Sequence, residues 1–116
     1  IKNTAATFRA QAEMEYIAIA PPLINDPQIA QIAASSLHKL YGDGIAGTIE
    51  KVMGGEDFAF LCENTPGALA FVGIGNKEKL TDYPLHSDKF NIDEDVLPIG
   101  AALHAQFALD FLQETS

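Results

Sequence analysis

The chain has 116 residues, 47% of them hydrophobic, and its 16 acidic and 7 basic residues give a formal net charge of −9. This length and composition fit one folded domain with a core and exclude a disordered chain. The acidic surface repels phosphate groups and anionic lipid, and no apolar run reaches the roughly 20 residues of a spanning helix, so neither nucleic acid nor a membrane is expected as a partner.

The first part of the chain changes its pattern twice. Residues 1–9 are typical of the end of a helix, whereas residues 10–18 alternate apolar and polar side chains, which predicts a half-buried strand. Pro21 and Pro22 end this strand because proline cannot donate a ladder hydrogen bond. They predict an extended connector between two structural units.

A helix with clear start and stop signals follows the connector. Asn25 or Asp26 can cap its N-terminus, Pro27 suits its first position, and apolar residues recur at helical spacing as far as Leu40. Gly42 can then adopt the left-handed conformation that ends a helix.

The remaining residues predict further strands and helices. In chain order these are a short strand at 45–52, a glycine-containing loop that opens a short helix at 53–64, a strand buried on both faces at 68–74, a polar loop at 75–92 and a helix from about 94 to 114. Strands that alternate with helices predict an α/β layer, with a separate strand at the start of the chain.

His86 differs from the other two histidines because it lies in a non-periodic loop. His38 and His104 lie on predicted helices and are interpreted as surface or packing residues. Acids follow His86 at positions 88 and 93–95, and a neutral imidazole near carboxylates is a common ligand of zinc and related cations. A surface histidine beside helix-capping acids remains the alternative.

Two acids near His86 have two possible roles. Asp93 suits the N-cap of the last helix, but Asp93 or Glu94 could also orient the His86 imidazole from outside the ligand shell.

The run Gly54-Gly55-Glu56-Asp57 is a candidate substrate-binding loop. Glycines allow close backbone approach to a ligand, so Gly55 could face the substrate. Alternatively, the glycines serve a turn, and the acids lie favourably at the start of the next helix, with Asp57 as its cap.

Two sequence blocks carry a family resemblance. Residues Met53–Ala59 (Met-Gly-Gly-Glu-Asp-Phe-Ala) and Tyr83–Ser87 (Tyr-Pro-Leu-His-Ser), the latter continuing to Leu97–Ala102, resemble the two-metal amidohydrolases and metallopeptidases. That group includes hippurate hydrolase, indole-acetyl-amino-acid hydrolases and N-acyl-amino-acid amidohydrolases. The similarity extends in consistent order over essentially the whole chain.

The resemblance implies a fold and a site. It implies an α/β fold: residues 1–22 would be the trailing helix end and last strand of a smaller α+β lid or dimerisation domain, and residues 23–116 the C-terminal part of a three-layer α/β catalytic domain. His86 would ligate one of two divalent ions, which could be Zn, Mn, Co or Ni. The other ligands and the general-base glutamate belong to a Cys-Gly-His-Asp stretch and a Glu-Glu pair, neither of which occurs in these residues, so no catalytic residue is expected here.

The expected function is therefore that of a fragment. The complete enzyme would be a cytoplasmic hydrolase that cleaves the amide bond of N-acyl amino acids, and the single cysteine agrees with a reducing compartment. The fragment alone is expected to be inactive and to pair with the rest of its polypeptide or with a second copy through residues 10–18. The alternatives are a non-catalytic interaction module of the same fold and a dipeptidase or carboxypeptidase of the same superfamily.

Overall fold

The computed structural model describes residues 1–114, which contain four α-helices and one 3₁₀ turn. The helices are α1 (Lys2–Thr7), α2 (Pro27–Tyr41), α3 (Phe58–Cys62) and α4 (Leu97–Glu114), and the 3₁₀ turn Glu94–Val96 leads directly into α4. The four α-helices lie where the sequence predicts helices, whereas the 3₁₀ turn takes up the first residues of the helix predicted from about 94 to 114. The last two residues of the predicted 23–116 unit lie outside the described part of the chain.

Helix α2 begins and ends where its local chemistry predicts. The Asp26 side chain accepts hydrogen bonds from the backbone N–H groups of Gln28 and Ile29, at 2.9 and 3.0 Å. Pro27 occupies the first turn, where its missing N–H has no cost. Gly42 ends the helix with a φ of +79°, a conformation that a side chain would strain.

The three segments predicted as strands do not form strands. Residues 10–18, 45–52 and 68–74 contain no strand within the described part of the chain, so the strands of the α/β prediction are not confirmed for these residues. The physical reason is that a strand exists only through the backbone groups of a neighbouring strand. An apolar pattern along the chain can favour a strand conformation, but it does not show that a neighbouring strand is present to pair with.

The segment after α3 is held by a side chain instead. The Asn25 amide donates to the Leu69 carbonyl oxygen and accepts from the Leu69 N–H, both at 2.9 Å. The Asp26 N–H donates to the Gly67 carbonyl oxygen at 2.9 Å. Asn25 and Asp26 therefore fasten residues 67–69 next to the start of α2.

Helices α2 and α4 pack through a buried polar cluster. The Asp110 carboxylate accepts from the Ser36 hydroxyl at 2.7 Å, from Lys39 Nζ at 2.7 Å and from Gln106 Nε2 at 3.0 Å. The Ser36 hydroxyl also lies 2.9 Å from the Ile32 carbonyl oxygen. Its single proton favours the carboxylate because charged acceptors make stronger hydrogen bonds.

The ion pair in this cluster predicts an acid-sensitive contact between the two helices. The Lys39 ammonium, followed by the Ser36 hydroxyl, holds the pKa of Asp110 below its ordinary value, against the opposing effect of burial. The folded state therefore prefers the ionised carboxylate. That stabilisation is fully present above pH 3.8, the ordinary aspartate value, and is lost as the pH falls through the lower pKa of the folded state.

We expect Asp110→Asn to destabilise the protein at neutral pH and to have progressively less effect as the pH falls below 3.8. Chemical denaturation at a series of pH values measures this difference in the free energy of unfolding. Asp43→Asn is the control, because Asp43 is exposed and pairs with the exposed His38 at 3.0 Å. A loss of stability in Asp110→Asn that stays constant into acid would contradict the assignment.

The described residues bury little apolar surface. Among the described residues, only two apolar side chains are buried, those of Ile32 and Ala59. Many large apolar side chains are exposed, including Met14, Tyr16, Ile17 and Ile19. The radius of gyration is 20.3 Å, whereas a compact domain of this length measures roughly 13 Å. The expectation that these residues form a core of their own is wrong.

None of the helices within residues 1–114 combines the length and apolar character that crossing a membrane requires.

Candidate functional site

His86 occupies a strained position in a tight turn. The Ser87 N–H donates to the Pro84 carbonyl oxygen at 3.2 Å, which closes a four-residue turn. His86 is its third residue and has a φ of +67°, as a type II turn requires at that position. The turn leaves His86 exposed to solvent. A non-glycine residue with positive φ is uncommon and is a reason to look for function.

A second turn follows at once. The Phe90 N–H donates to the Ser87 carbonyl oxygen at 3.1 Å, and the Lys89 N–H donates to Ser87 Oγ at 3.1 Å. Lys89 Nζ lies 5.7 Å from the centre of the Tyr83 ring, within reach of a cation–π attraction. Residues 82–92, which we call the His86 loop, are thus organised by short-range contacts.

Both ends of the His86 loop are fastened to one short segment. The Ile74 carbonyl oxygen accepts from the Asp93 N–H at 3.1 Å and from Thr81 Oγ1 at 3.2 Å. Thr81 Oγ1 also accepts from the Asn76 N–H at 2.9 Å, and the Thr81 N–H donates to the Asn76 carbonyl oxygen at 3.0 Å. Thr81 is buried. These contacts close the base of the loop.

The Asp93 carboxylate completes this closure. It accepts from Asn76 Nδ2 at 2.7 Å, from Lys79 Nζ at 2.6 Å and from the Asp95 N–H at 3.2 Å. Lys79 also pairs with the Asp95 carboxylate. We call Asn76, Lys79, Thr81 and Asp93 the neck cluster, because together they join the two ends of the His86 loop.

The charges of the neck cluster reinforce one another. Hydrogen bonds from Lys79 and then Asn76 lower the pKa of Asp93, against the opposing effect of burial. Hydrogen bonds to Asp93 and then Asp95 raise the pKa of Lys79. At neutral pH the pair is therefore held in its charged form, Asp93⁻ with Lys79⁺.

The structure gives Asp93 the capping role that the sequence allowed. Its side chain caps the 3₁₀ turn that precedes α4, and its other hydrogen bonds run to Asn76 and Lys79. Glu94 is exposed in that first turn. The idea that Asp93 or Glu94 contacts the His86 imidazole stays a prediction. Sequence reasoning missed Asn76, Lys79 and Thr81, because a polar loop carries no periodic signal that pairs its residues.

The glycine loop is open in this structure. A Cβ placed on Gly54 or Gly55 would meet nothing within 4 Å among the described residues, and neither residue has a positive φ. Neither glycine is therefore required there by space or by backbone conformation. The role of Gly55 toward substrate stays a prediction.

Asp57 does not cap α3 with its side chain. Instead, Glu56 Oε1 accepts from the Phe58 N–H at 3.0 Å. The capping interpretation of Asp57 is wrong because its backbone is already helical, whereas a capping residue needs an extended one.

These residues do not by themselves form a complete metal site. Within residues 1–114, no three side chains of His, Cys, Asp or Glu come together in a group that could hold a metal ion. A zinc site takes three or four ligands from the protein. His86 has suitable donor chemistry, since an exposed imidazole is a common ligand of divalent transition metals, but it can supply only one ligand.

Comparisons with known proteins identify a family. The sequence profile of the peptidase family M20/M25/M40 matches residues 4–110. The chain is 36% identical over 118 residues to IAA-amino acid hydrolase ILR1-like 6 of Arabidopsis thaliana, covering 98% of this chain and 25% of that protein. It is 31% identical over 112 residues to thermostable carboxypeptidase 1 of Saccharolobus solfataricus, covering 96% and 28%.

The chain therefore spans about a quarter of the length of these curated relatives. No solved structure matches it significantly.

Proposed function

Because this chain belongs to peptidase family M20/M25/M40, we propose that it forms the C-terminal part of the catalytic unit of a metal-dependent hydrolase. The observation that carries the proposal is the conjunction of two facts. The family match covers residues 4–110, and the histidine of the Pro-Leu-His-Ser block lies exposed in a turn with a φ of +67°.

His86 is the proposed metal ligand of this chain. A divalent cation in such an enzyme polarises the scissile carbonyl group and lowers the pKa of a bound water. Two ions, from among Zn, Mn, Co and Ni, would be held by His86 together with residues outside this chain. The general-base glutamate is also expected outside it. The contribution of this chain is to hold one imidazole in place on the His86 loop.

The proposed complete fold explains why these residues bury so little. Residues 23–116 would belong to a three-layer α/β catalytic domain and residues 1–22 to a smaller α+β lid. In that domain, segments 45–52 and 68–74 would find neighbouring strands. Segment 10–18 would be covered by the rest of its own polypeptide or by a second copy of the chain. We propose a cytoplasmic location, which agrees with the free thiol of Cys62.

The proposed substrates are N-acyl amino acids, whose amide bond is cleaved to release the acid and the amino acid. Support comes from the Arabidopsis relative, which is named an IAA-amino acid hydrolase. A carboxypeptidase is the second candidate, and it is supported by the name of the Saccharolobus relative. A non-catalytic interaction module is the third.

We expect the full-length protein to hydrolyse an N-acyl amino acid at least about tenfold faster, by kcat/KM, than a dipeptide with the same C-terminal residue, a difference of about 1.4 kcal/mol in transition-state binding. Release of the free amino acid measures both reactions, before and after treatment with a chelator. The isolated 116-residue chain is the control and should be inactive with either substrate.

The other outcomes of this assay distinguish the three proposed functions. Preference for the dipeptide would replace the amidohydrolase proposal with the peptidase. Metal-loaded protein that cleaves neither substrate would favour the interaction module. Hydrolysis by the isolated chain would contradict the proposal that it lacks a complete site.

A further inference from the structure

The base of the His86 loop has the geometry of a clamp. Eleven residues separate Thr81 from Asp93 along the chain, yet both donate to the same Ile74 carbonyl oxygen, at 3.2 and 3.1 Å. The two ends of the loop are therefore held within hydrogen-bond distance of one atom. This closure fixes where the loop that carries His86 begins and ends.

Asp93 closes the base of the loop through both its backbone and its side chain. Its backbone N–H donates to the Ile74 carbonyl oxygen. Its carboxylate accepts from Asn76 Nδ2 at 2.7 Å and from Lys79 Nζ at 2.6 Å, both in the segment that precedes the loop. The Asp93 side chain is only 11% exposed, whereas that of Lys79 is 47% exposed, and a partly buried pair is screened less than one fully at the surface. Asp93 is the charged member of the neck cluster that follows the loop, and it bonds the preceding segment through both its backbone and its side chain.

We infer that Asp93 is a positioning residue for His86, acting through the backbone of the His86 loop. This inference rests on the proposed role of His86 as a metal ligand. The Asp93 carboxylate holds the two ends of the His86 loop together, and this fixes the position of the loop. The turn at Pro84–Ser87 then places the imidazole where a metal ion can bind. The positive φ of His86 is retained because its surroundings over-determine it. Loosening the neck lets the imidazole leave the position that metal binding needs.

Helix α4 provides a matched control for this role. Asp110, near the other end of α4, is also buried, accepts from a lysine at 2.7 Å and has a lowered pKa. It joins α4 to α2, away from the neck cluster. Asp93→Asn and Asp110→Asn therefore remove equivalent charges, one at the neck and one distant from it.

The test measures metal affinity in the full-length protein by competition with a chelator for Zn²⁺, together with hydrogen exchange of the amides of residues 82–92. We expect Asp93→Asn to weaken Zn²⁺ binding roughly 10- to 100-fold, the range typical of groups that support a ligand, and to speed exchange in the His86 loop. Asp110→Asn should leave Zn²⁺ affinity within about twofold of the parent, although both variants lower stability.

A gentler pair of variants covers the case in which Asp93→Asn fails to fold. Lys79→Gln and Lys39→Gln each remove the cation from one cluster, and the two lysine side chains are 47% and 56% exposed. Lys79→Gln should weaken Zn²⁺ binding several-fold and Lys39→Gln should not. Equal losses within either pair, or no loss at the neck, would overturn the positioning role.

A further variant separates this inference from the proposal beneath it. If His86→Ala leaves Zn²⁺ affinity unchanged, the metal-ligand proposal itself fails and the positioning role fails with it. If His86→Ala weakens binding while the neck variants behave like their controls, only the positioning role is refuted.

Discussion

Replacing His86 with alanine in the full-length protein is expected to reduce metal affinity by more than roughly 100-fold, since removing a ligand should exceed the 10- to 100-fold effect of an outer partner. Hydrolytic activity should fall to the level of the chelated protein. The imidazole would be one of few ligands, and its loss leaves a coordination position that solvent must fill. Metal content after dialysis and kcat/KM with the preferred substrate measure the two effects.

His104→Ala is the matched control for this experiment. His104 is likewise exposed, but it lies in the middle of α4 rather than in the turn. Its replacement should change neither metal content nor activity. Full metal occupancy in the His86 variant would refute the ligand proposal, and an equal loss in both variants would point to a general loss of structure.

The isolated 116-residue chain is expected to self-associate, with a sedimentation mass that rises from 12.5 kDa toward twice that value as its concentration increases. Residues 10–18 belong to no helix and no strand in the described structure, and Met14, Tyr16 and Ile17 are exposed. Unpaired backbone groups beside apolar side chains are a template for pairing with another chain. Sedimentation over a range of concentrations tests this.

Two lysine substitutions locate the association. Ile17→Lys places a charge within the segment and should shift the chain to monomer, because charged side chains discourage edge pairing. Ile24→Lys is the control: Ile24 is 74% exposed and Ile17 71%, but Ile24 lies beyond the two prolines. A folded monomer of the parent chain at every concentration would refute the prediction, and equal effects of both variants would place the contact elsewhere.

Much of the helical structure was predictable because it is encoded within a few neighbouring residues. The start of α2 follows from Asp26 and Pro27, and its end from Gly42, whatever the rest of the chain does. Asp93 as the cap before α4 was predictable for the same reason. Asp57 was predicted wrongly because Glu56, one residue earlier, can reach the same group of N–H donors.

The candidate site was predictable only in part. His86 was singled out from its loop and its sequence block, but its positive φ and its turn were not foreseen. The neck cluster was missed because its members lie in a segment that the sequence describes only as polar. The predicted strands are not confirmed because an apolar pattern along the chain does not indicate whether a partner strand is within reach.

The amino-acid sequence by itself determined the boundaries of α2 and the candidate histidine, since caps, prolines and glycines act over one turn of backbone. Only the tertiary structure decided which distant groups meet. Lys39 finds Asp110 from 71 positions away, and Asp93 finds Lys79 from 14 positions away across the His86 loop. The reason is that an ion pair depends on the distance between two groups in space, and the number of residues between them does not indicate that distance once the backbone turns.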